Sequence, residues 1–182
     1  MTDWIIYGGG GHARVIADAI KLSNHRLIAY FDDNKDVVSI NEFPVFPYHE
    51  NIEKQAKVII GIGNNEIRRN ISKYIVHDFR TVIHPMATIA DDVIIGEGTV
   101  ILAGAVIQSG AIIGKHVIVN ANVTIDHDVV IGDFCSIYPN SYIGGGAEIG
   151  AGVSIGACNV VARLTNIATA FETDEVVAVN LY

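Results

Sequence analysis

From Ile83 onward, every sixth residue is aliphatic without a miss. The series runs Ile83, Ile89, Ile95, Ile101, Ile107, Ile113, Val119, Ile125, Ile131, Ile137, Ile143, Ile149, Ile155 and Val161. A short period held over such a length marks a stacked repeat architecture and excludes most other folds. Four residues after each aliphatic from Ile89 to Ile155 stands a small or β-branched residue, from Val93, Thr99 and Ala105 through Cys135 and Ser141 to Asn159. Glycine often follows the aliphatic directly, as at Gly96, Gly114, Gly132, Gly144, Gly150 and Gly156. Together these columns describe a triangular prism of parallel strands, in which each six-residue unit makes one short face and one turn. The aliphatic fills the interior, the small column sits where three corners converge, and the glycines suit tight corners that favour a residue without Cβ. Stacking the coils about 4.8 Å apart pairs their backbones along the axis. The fourteen aliphatic positions make roughly four and a half coils.

Residues 1–82 follow a different rhythm. An apolar strand, Trp4-Ile5-Ile6-Tyr7, runs into Gly8-Gly9-Gly10-Gly11-His12-Ala13, and a helical pattern follows with Val15, Ile16, Ala19 and Ile20 on one face. A second strand, Leu27 to Phe31, ends at Asp32-Asp33-Asn34, and a third, Lys57 to Ile60, ends at Gly61-Ile62-Gly63-Asn64-Asn65. A helix from Glu66 to Tyr74 and a strand at Thr81-Val82-Ile83 lead into the repeat. Strands alternating with helices predict a small parallel α/β unit, so we expect two domains, 1–82 and 83–182. Gly8-x-Gly10-x-x-Ala13 satisfies the dinucleotide fingerprint, with Asp32 placed about where a ribose-binding acid belongs. Taken alone this points to NAD. About 80 residues, however, supply only half a dinucleotide fold, which suits a mononucleotide. The simpler alternative is that the glycines only make a tight strand–helix turn.

Composition narrows the classes. Half of the 182 residues are apolar, yet no apolar run reaches the length of a membrane span, and Met-Thr-Asp-Trp lacks the pattern of a signal peptide. The chain therefore reads as cytoplasmic. A net charge of −8 argues against nucleic acid and against an anionic membrane surface. Cys135 and Cys158 give neither metal-ligand spacing nor a disulfide framework. We expect no metal.

The repeat resembles the hexapeptide-repeat acyltransferases. That resemblance implies a left-handed parallel β-helix, a homotrimer and acetyl-CoA bound between neighbouring prisms. The N-terminal pattern sharpens it: Tyr7-Gly8-x-x-Gly11-His12, Asp32-Asp33 after the second strand, Gly63-Asn64-Asn65 after the third, then the hexapeptide helix. This combination resembles the bacterial sugar acetyltransferases that include UDP-4-amino-sugar N-acetyltransferases, GDP-perosamine N-acetyltransferase and the sialic acid O-acetyltransferase-like proteins. The fold class so implied is an α/β half-Rossmann-like unit followed by a left-handed β-helix. In such enzymes the N-terminal unit holds the nucleotide-sugar, which carries over to Gly10, Gly11, His12, Asp32 and Asp33. His12 has a simpler reading as a helix cap.

Among seven histidines, His127 stands out in Asn120-Ala121-Asn122-Val123-Thr124-Ile125-Asp126-His127-Asp128, flanked by acids in an otherwise apolar prism. Locally a solvated charge cluster explains this equally well. The family pattern, with Asn seven residues before an acid-His-acid triplet, makes His127 the general base. A sugar amine must lose a proton as it attacks a thioester, and an imidazole titrating near neutrality suits that task. By resemblance Asp128 is its carboxylate partner, with Asp126 the weaker candidate, and Asn120 positions the sugar or acetyl group. The amide of Gly145 matches the family's oxyanion donor, and Ala157 falls where the family meets CoA. Ser136 stands nine residues after His127, where relatives often carry a second histidine touching acetyl-CoA. After Val161 there is neither proline nor glycine through Tyr182, although Ile167 and Val179 keep the six-residue phase. His25, His49, His77 and His116 read as surface residues. The expected function is acetyl transfer from acetyl-CoA to the amino group of a nucleotide-linked amino sugar for surface glycans. The alternatives are sugar O-acetylation and a nucleotide-sugar-binding trimer that has lost donor binding.

Overall fold

A computed structural model describes residues 2–171 and 178–179. The N-terminal unit is a five-stranded sheet in the order β3-β4-β2-β1-β5. Its strands are β1 (Asp3–Tyr7), β2 (Arg26–Phe31), β3 (Ser39–Ile40), β4 (Phe43–Phe46) and β5 (Lys57–Ile60), with helices α1 (Gly11–Leu22) and α2 (Asn65–Ser72). The pairs β1–β2, β1–β5 and β2–β4 are parallel, and β3–β4 is antiparallel. The two short strands β3 and β4 add to what the sequence predicts. Asn41, at φ 51°, makes the turn between them, a backbone region that Asn tolerates better than most residues. Both faces of the sheet are buried. Trp4 and Ile6 pack with α1 through Ala13, Ile16, Ala19 and Ile20, while Ile5 and Tyr7 pack with Ile71 and Ile75. Val15, expected on the inner face of α1, is instead 47% exposed.

From Val82 to Ile167 the chain forms a prism of two-residue strands on three faces, all parallel, with each strand paired to the one eighteen residues away. Face 1 carries Val82–Ile83, Val100–Ile101, Ile118–Val119, Ser136–Ile137, Ser154–Ile155 and Ala178–Val179. Face 2 carries Thr88–Ile89, Val106–Ile107, Thr124–Ile125, Tyr142–Ile143 and Val160–Val161. Face 3 carries Ile94–Ile95, Ile112–Ile113, Val130–Ile131, Glu148–Ile149 and Asn166–Ile167. Both aliphatic and small columns line one continuous core. Polar members of the small column are satisfied in a regular way: Thr99 Oγ1, Cys135 Sγ and Ser141 Oγ each donate to the carbonyl fifteen residues on. Ile167 continues the coil in phase, whereas Val179 pairs with Ile155 one repeat later than eighteen residues would place it. Residues 172–177 and 180–182, part of the unmatched C-terminal segment, lie outside the described residues.

The corners differ from expectation in one respect. The left-handed backbone falls three residues after the aliphatic, at Gly98, Gly104, Gly110, His116, Asn122, Asp128, Phe134, Asn140, Gly146, Gly152, Cys158 and Leu164. The glycine directly after the aliphatic serves close approach instead. A Cβ on Gly96 would sit 2.6 Å from the backbone of Gly114 in the next coil.

The N-terminal unit covers face 1. Val82, Val100 and Leu102 join the core of α1, and the outward residues Val82, Val100, Ile118 and Ser136 are all buried. Face 3 keeps an exposed aliphatic column of Ile94, Ile112 and Val130. Among the described residues, no helix is long and apolar enough to cross a membrane.

Two histidines expected at the surface are buried, His77 within the N-terminal unit and His116 where that unit meets the prism. His77 is 5% exposed, its Nε2 against the carbonyl of Ile52. His116 is 4% exposed, stacked on Phe134 at 5.0 Å and met edge-on by Phe79 at 4.5 Å. Burial, reinforced by the nearby Arg68 charge, lowers its pKa to about 4, and its Nδ1 has no partner among the described residues. Because the folded pKa lies below the unfolded value of about 6.5, the unfolded chain binds more protons between those limits. Stability therefore falls as pH drops from about 6.5 toward 4, by at most about 1.4 kcal/mol per pH unit for this one group. Urea midpoints at pH 6.5 and 5 should diverge for the parent and diverge less for His116→Phe, with the remaining difference owed to other buried groups such as His12. Equal slopes in both proteins would show that His116 is not the source.

Candidate active site

His127 lies on the corner between faces 2 and 3. Its Nδ1 is 2.8 Å from Asp128 Oδ2, and the two side chains are 51% and 71% exposed. Asp128 takes the left-handed corner position at φ 59°, which turns its carboxylate back toward the ring. A carboxylate at Nδ1 favours the tautomer with the proton there, leaving the Nε2 lone pair free. Eighteen residues on, Gly145 lies beside that nitrogen: a Cβ built on it would be 2.8 Å from His127 Nε2. Any side chain at 145 would have to displace the imidazole, so glycine keeps the lone pair accessible.

Asp126 points elsewhere. Its Oδ1 accepts the His127 amide at 2.8 Å and its Oδ2 accepts the Tyr142 hydroxyl at 2.7 Å. Of the two acids flanking His127, it is Asp128 that contacts the ring. The Tyr142 hydrogen bond and the His127 amide hold the Asp126 carboxyl below its usual range, with the His127 ring and the Gly145 amide adding to the effect.

The other expected residues lie apart from this corner. Asn120 and Ala157 occupy the corner between faces 1 and 2, where Asn120 Nδ2 donates to the carbonyl of Ile137 at 3.0 Å. Ser136, expected at acetyl-CoA, is 2% exposed on face 1, and its hydroxyl donates to Asn65 Oδ1 at 2.6 Å. The N-terminal unit of the same chain covers that face, so Ser136 serves the junction here.

In the N-terminal unit, Asp32 Oδ2 accepts the Gly9 amide at 2.8 Å and Asp33 Oδ1 accepts the Tyr7 hydroxyl at 2.7 Å. Asp32 thus holds the glycine loop against the end of β2. A Cβ on Gly10 would meet nothing within 4 Å, so the loop opens onto free space. Gly10 is itself the N-cap of α1, and no side chain caps the helix, so His12 does not play that part. His12 Nε2 is buried without a partner among the described residues, and desolvation, with the Arg68 charge, lowers its pKa to about 4.

Two features had no signal in the sequence. A cavity of about 450 Å³ lies between the β5–α2 loop and the corner from face 3 to face 1, lined among others by Asn64, Asn65, Glu66, Tyr138, Ser154 and Phe171. Beneath it Arg68, 1% exposed, binds no carboxylate among the described residues. It donates to the carbonyls of His116, Ile62 and Phe134 at 2.8, 2.9 and 3.0 Å and to Asn65 Oδ1 at 2.8 Å.

Comparison with known proteins gives the family and the fold. Residues 3–75 match the PglD N-terminal domain family, and residues 92–127 and 128–163 match the bacterial transferase hexapeptide (six repeats) family. UDP-N-acetylbacillosamine N-acetyltransferase of Bacillus subtilis (strain 168) is 35% identical over 109 residues, covering 54% of this chain. The chain spans about half the length of that curated relative. The fold is shared with perosamine N-acetyltransferase from Caulobacter crescentus, solved as a variant with CoA and GDP-perosamine (TM-score 0.80, 24% identity, covering 93% of this chain and 92% of that one). It is a left-handed parallel β-helix behind an α/β unit. The acetyltransferase domain of PglB from Neisseria gonorrhoeae FA1090 is 30% identical, with a TM-score of 0.69, over 93% of this chain and 89% of that one. The chain belongs to the bacterial sugar acetyltransferases of the left-handed β-helix hexapeptide-repeat family.

Proposed function

We propose that this chain transfers acetyl from acetyl-CoA to the amino group of a nucleotide-linked amino sugar, in the cytoplasm, for surface glycan synthesis. The observation that carries this reading is the His127–Asp128 pair with Nε2 left open beside Gly145. Nε2 takes the proton as the sugar nitrogen bonds to the thioester carbon, and Asp128 stabilises the imidazolium that forms. Collapse of the tetrahedral intermediate then expels the CoA thiolate. The Gly145 N–H is the donor we assign to the developing oxyanion. Residues 1–82 hold the nucleotide-sugar at Gly10, Gly11, His12, Asp32 and Asp33, and residues 83–182 carry out the transfer. The cavity flanked by Tyr138 and Phe171 is where we place the sugar.

Within one chain His127 stands on a different corner from that cavity, and the N-terminal unit does not cover it. A homotrimer resolves the separation by bringing one copy's His127 corner to another copy's sugar cavity, with acetyl-CoA between prisms and Ala157 beside it. The exposed column of Ile94, Ile112 and Val130 adjoins that corner and suits burial against a neighbour. Thiol release from acetyl-CoA across UDP-, GDP- and dTDP-linked amino sugars, and their hydroxyl counterparts, tests the reaction. Turnover confined to amino sugars is the expected result, and turnover of hydroxyl sugars alone would overturn it. Light scattering should give a trimer mass; an active monomer would rule out the shared site.

A further inference from the structure

We infer that Asp126 and Tyr142 form a bracket that fixes the base on one coil relative to the oxyanion-donor corner on the next. This rests on the acetyl-transfer reading of the same corner. The chemistry requires His127 and the amide of Gly145 at a set separation, yet they belong to successive coils. The Gly144-Gly145-Gly146 corner has no side chain of its own to anchor it. Backbone bonds link the two coils, including Gly146 N–H to the His127 carbonyl at 3.0 Å. Asp126 adds a side-chain tie across the same gap. One oxygen holds the amide of His127, and the other holds the hydroxyl of Tyr142, which starts the segment leading into the glycine corner. Thr124 and Tyr142 are directly paired across the coils, so the phenol reaches Asp126 from the adjacent strand without crossing the ring of His127.

The bracket also divides labour between two acids that lie two residues apart. With both oxygens engaged, Asp126 is kept off the imidazole, and Nδ1 is left to Asp128. Tyr142 is 37% exposed and makes no contribution to the prism core, so its hydroxyl is dispensable for the fold. Asp126 and Tyr142 act through His127 and Gly145 and are positioning residues.

The test is a mutant cycle on the full chain. Tyr142→Phe should lower kcat about tenfold, with both KM values and the melting temperature nearly unchanged, a smaller loss than the roughly 10²-fold that a full ångström of displacement at a reacting group can cost. Asp126→Ala should do the same, and the double variant should be no worse than Asp126→Ala alone, because the two act as one unit. Asp126→Asn keeps an acceptor for the His127 amide and should recover most of the loss. Additive losses, or unchanged kcat in Tyr142→Phe while His127→Ala is impaired, would overturn the bracket and leave the acetyl-transfer reading standing. A readout independent of turnover is the ¹H–¹⁵N spectrum of the His127 ring and the Gly145 amide. Both should shift in Tyr142→Phe, and unchanged signals would overturn the bracket even for a chain with no measurable transferase activity.

Discussion

Replacing His127 with alanine should lower kcat by about 10²- to 10⁴-fold, the range for loss of a positioned general base. The fold should be untouched, since the ring is half-exposed and its side-chain partner is Asp128. The loss should fall on kcat with little change in KM, because the imidazole acts on a proton transferred in the transition state and holds no other part of either substrate. Asp128→Asn should be milder, since the amide can still hold Nδ1 but cannot stabilise the imidazolium by charge. Steady-state thiol release with a responding amino sugar measures both. If His127→Ala turned over like the parent, the corner built by His127, Asp128 and Gly145 would not be the seat of the chemistry.

The prism could be read from the sequence because its constraint recurs at a fixed interval. Each interior aliphatic from Ile101 to Val161 meets the same surroundings, so each substitution is restricted in the same way. The left-handed corner column recurs just as strictly, yet it was invisible. Gly, Asn, Asp, His, Phe, Cys and Leu all occupy it, since the stacked backbone enforces the conformation whatever the side chain. Strands β3 and β4 were missed for another reason. They hold two and four residues, include Pro44, and exist only because β2 offers an edge.

The site divides along the same line. His127 and Asp128 are neighbours in sequence, so their contact is local and a motif can show it. The environment of Ser136 and His116 is set by how the N-terminal unit lands on the prism, and that of His77 by packing within that unit against Phe31, Tyr48 and Ile52. Nothing within six residues of His116 signals that Phe79 and Phe134 will enclose it. Tyr142 likewise reaches Asp126 only through the coil register, sixteen residues away in sequence.

Arg68 shows most clearly what a motif cannot reveal, and its removal should have the largest effect on stability. In sequence it sits in a short polar helix between Ile67 and Arg69, where an arginine ordinarily faces water. In the fold its guanidinium is buried, and desolvation lowers its pKa to about 10, still charged at neutrality. It joins two bodies. Nη1 donates to the carbonyls of Ile62 and Gly63 in the β5–α2 loop, while Nε and Nη2 donate to the carbonyls of His116 and Phe134 on the prism corner. Arg68→Ala leaves those acceptors buried without donors, each costing about 1–3 kcal/mol, and opens a void beneath the cavity. A net loss of about 3–5 kcal/mol follows, comparable to breaking a buried charged network. Arg68→Lys keeps the charge but places three donors on one nitrogen, which cannot span the fork, so it should recover only part of the loss. Urea denaturation of the three proteins gives the order, and limited proteolysis should cut the alanine variant first near the junction of the two units. If Arg68→Ala matched the parent in both, the buried guanidinium would not be what holds the N-terminal unit to the prism, leaving that task to Asn65 and the apolar contacts of face 1.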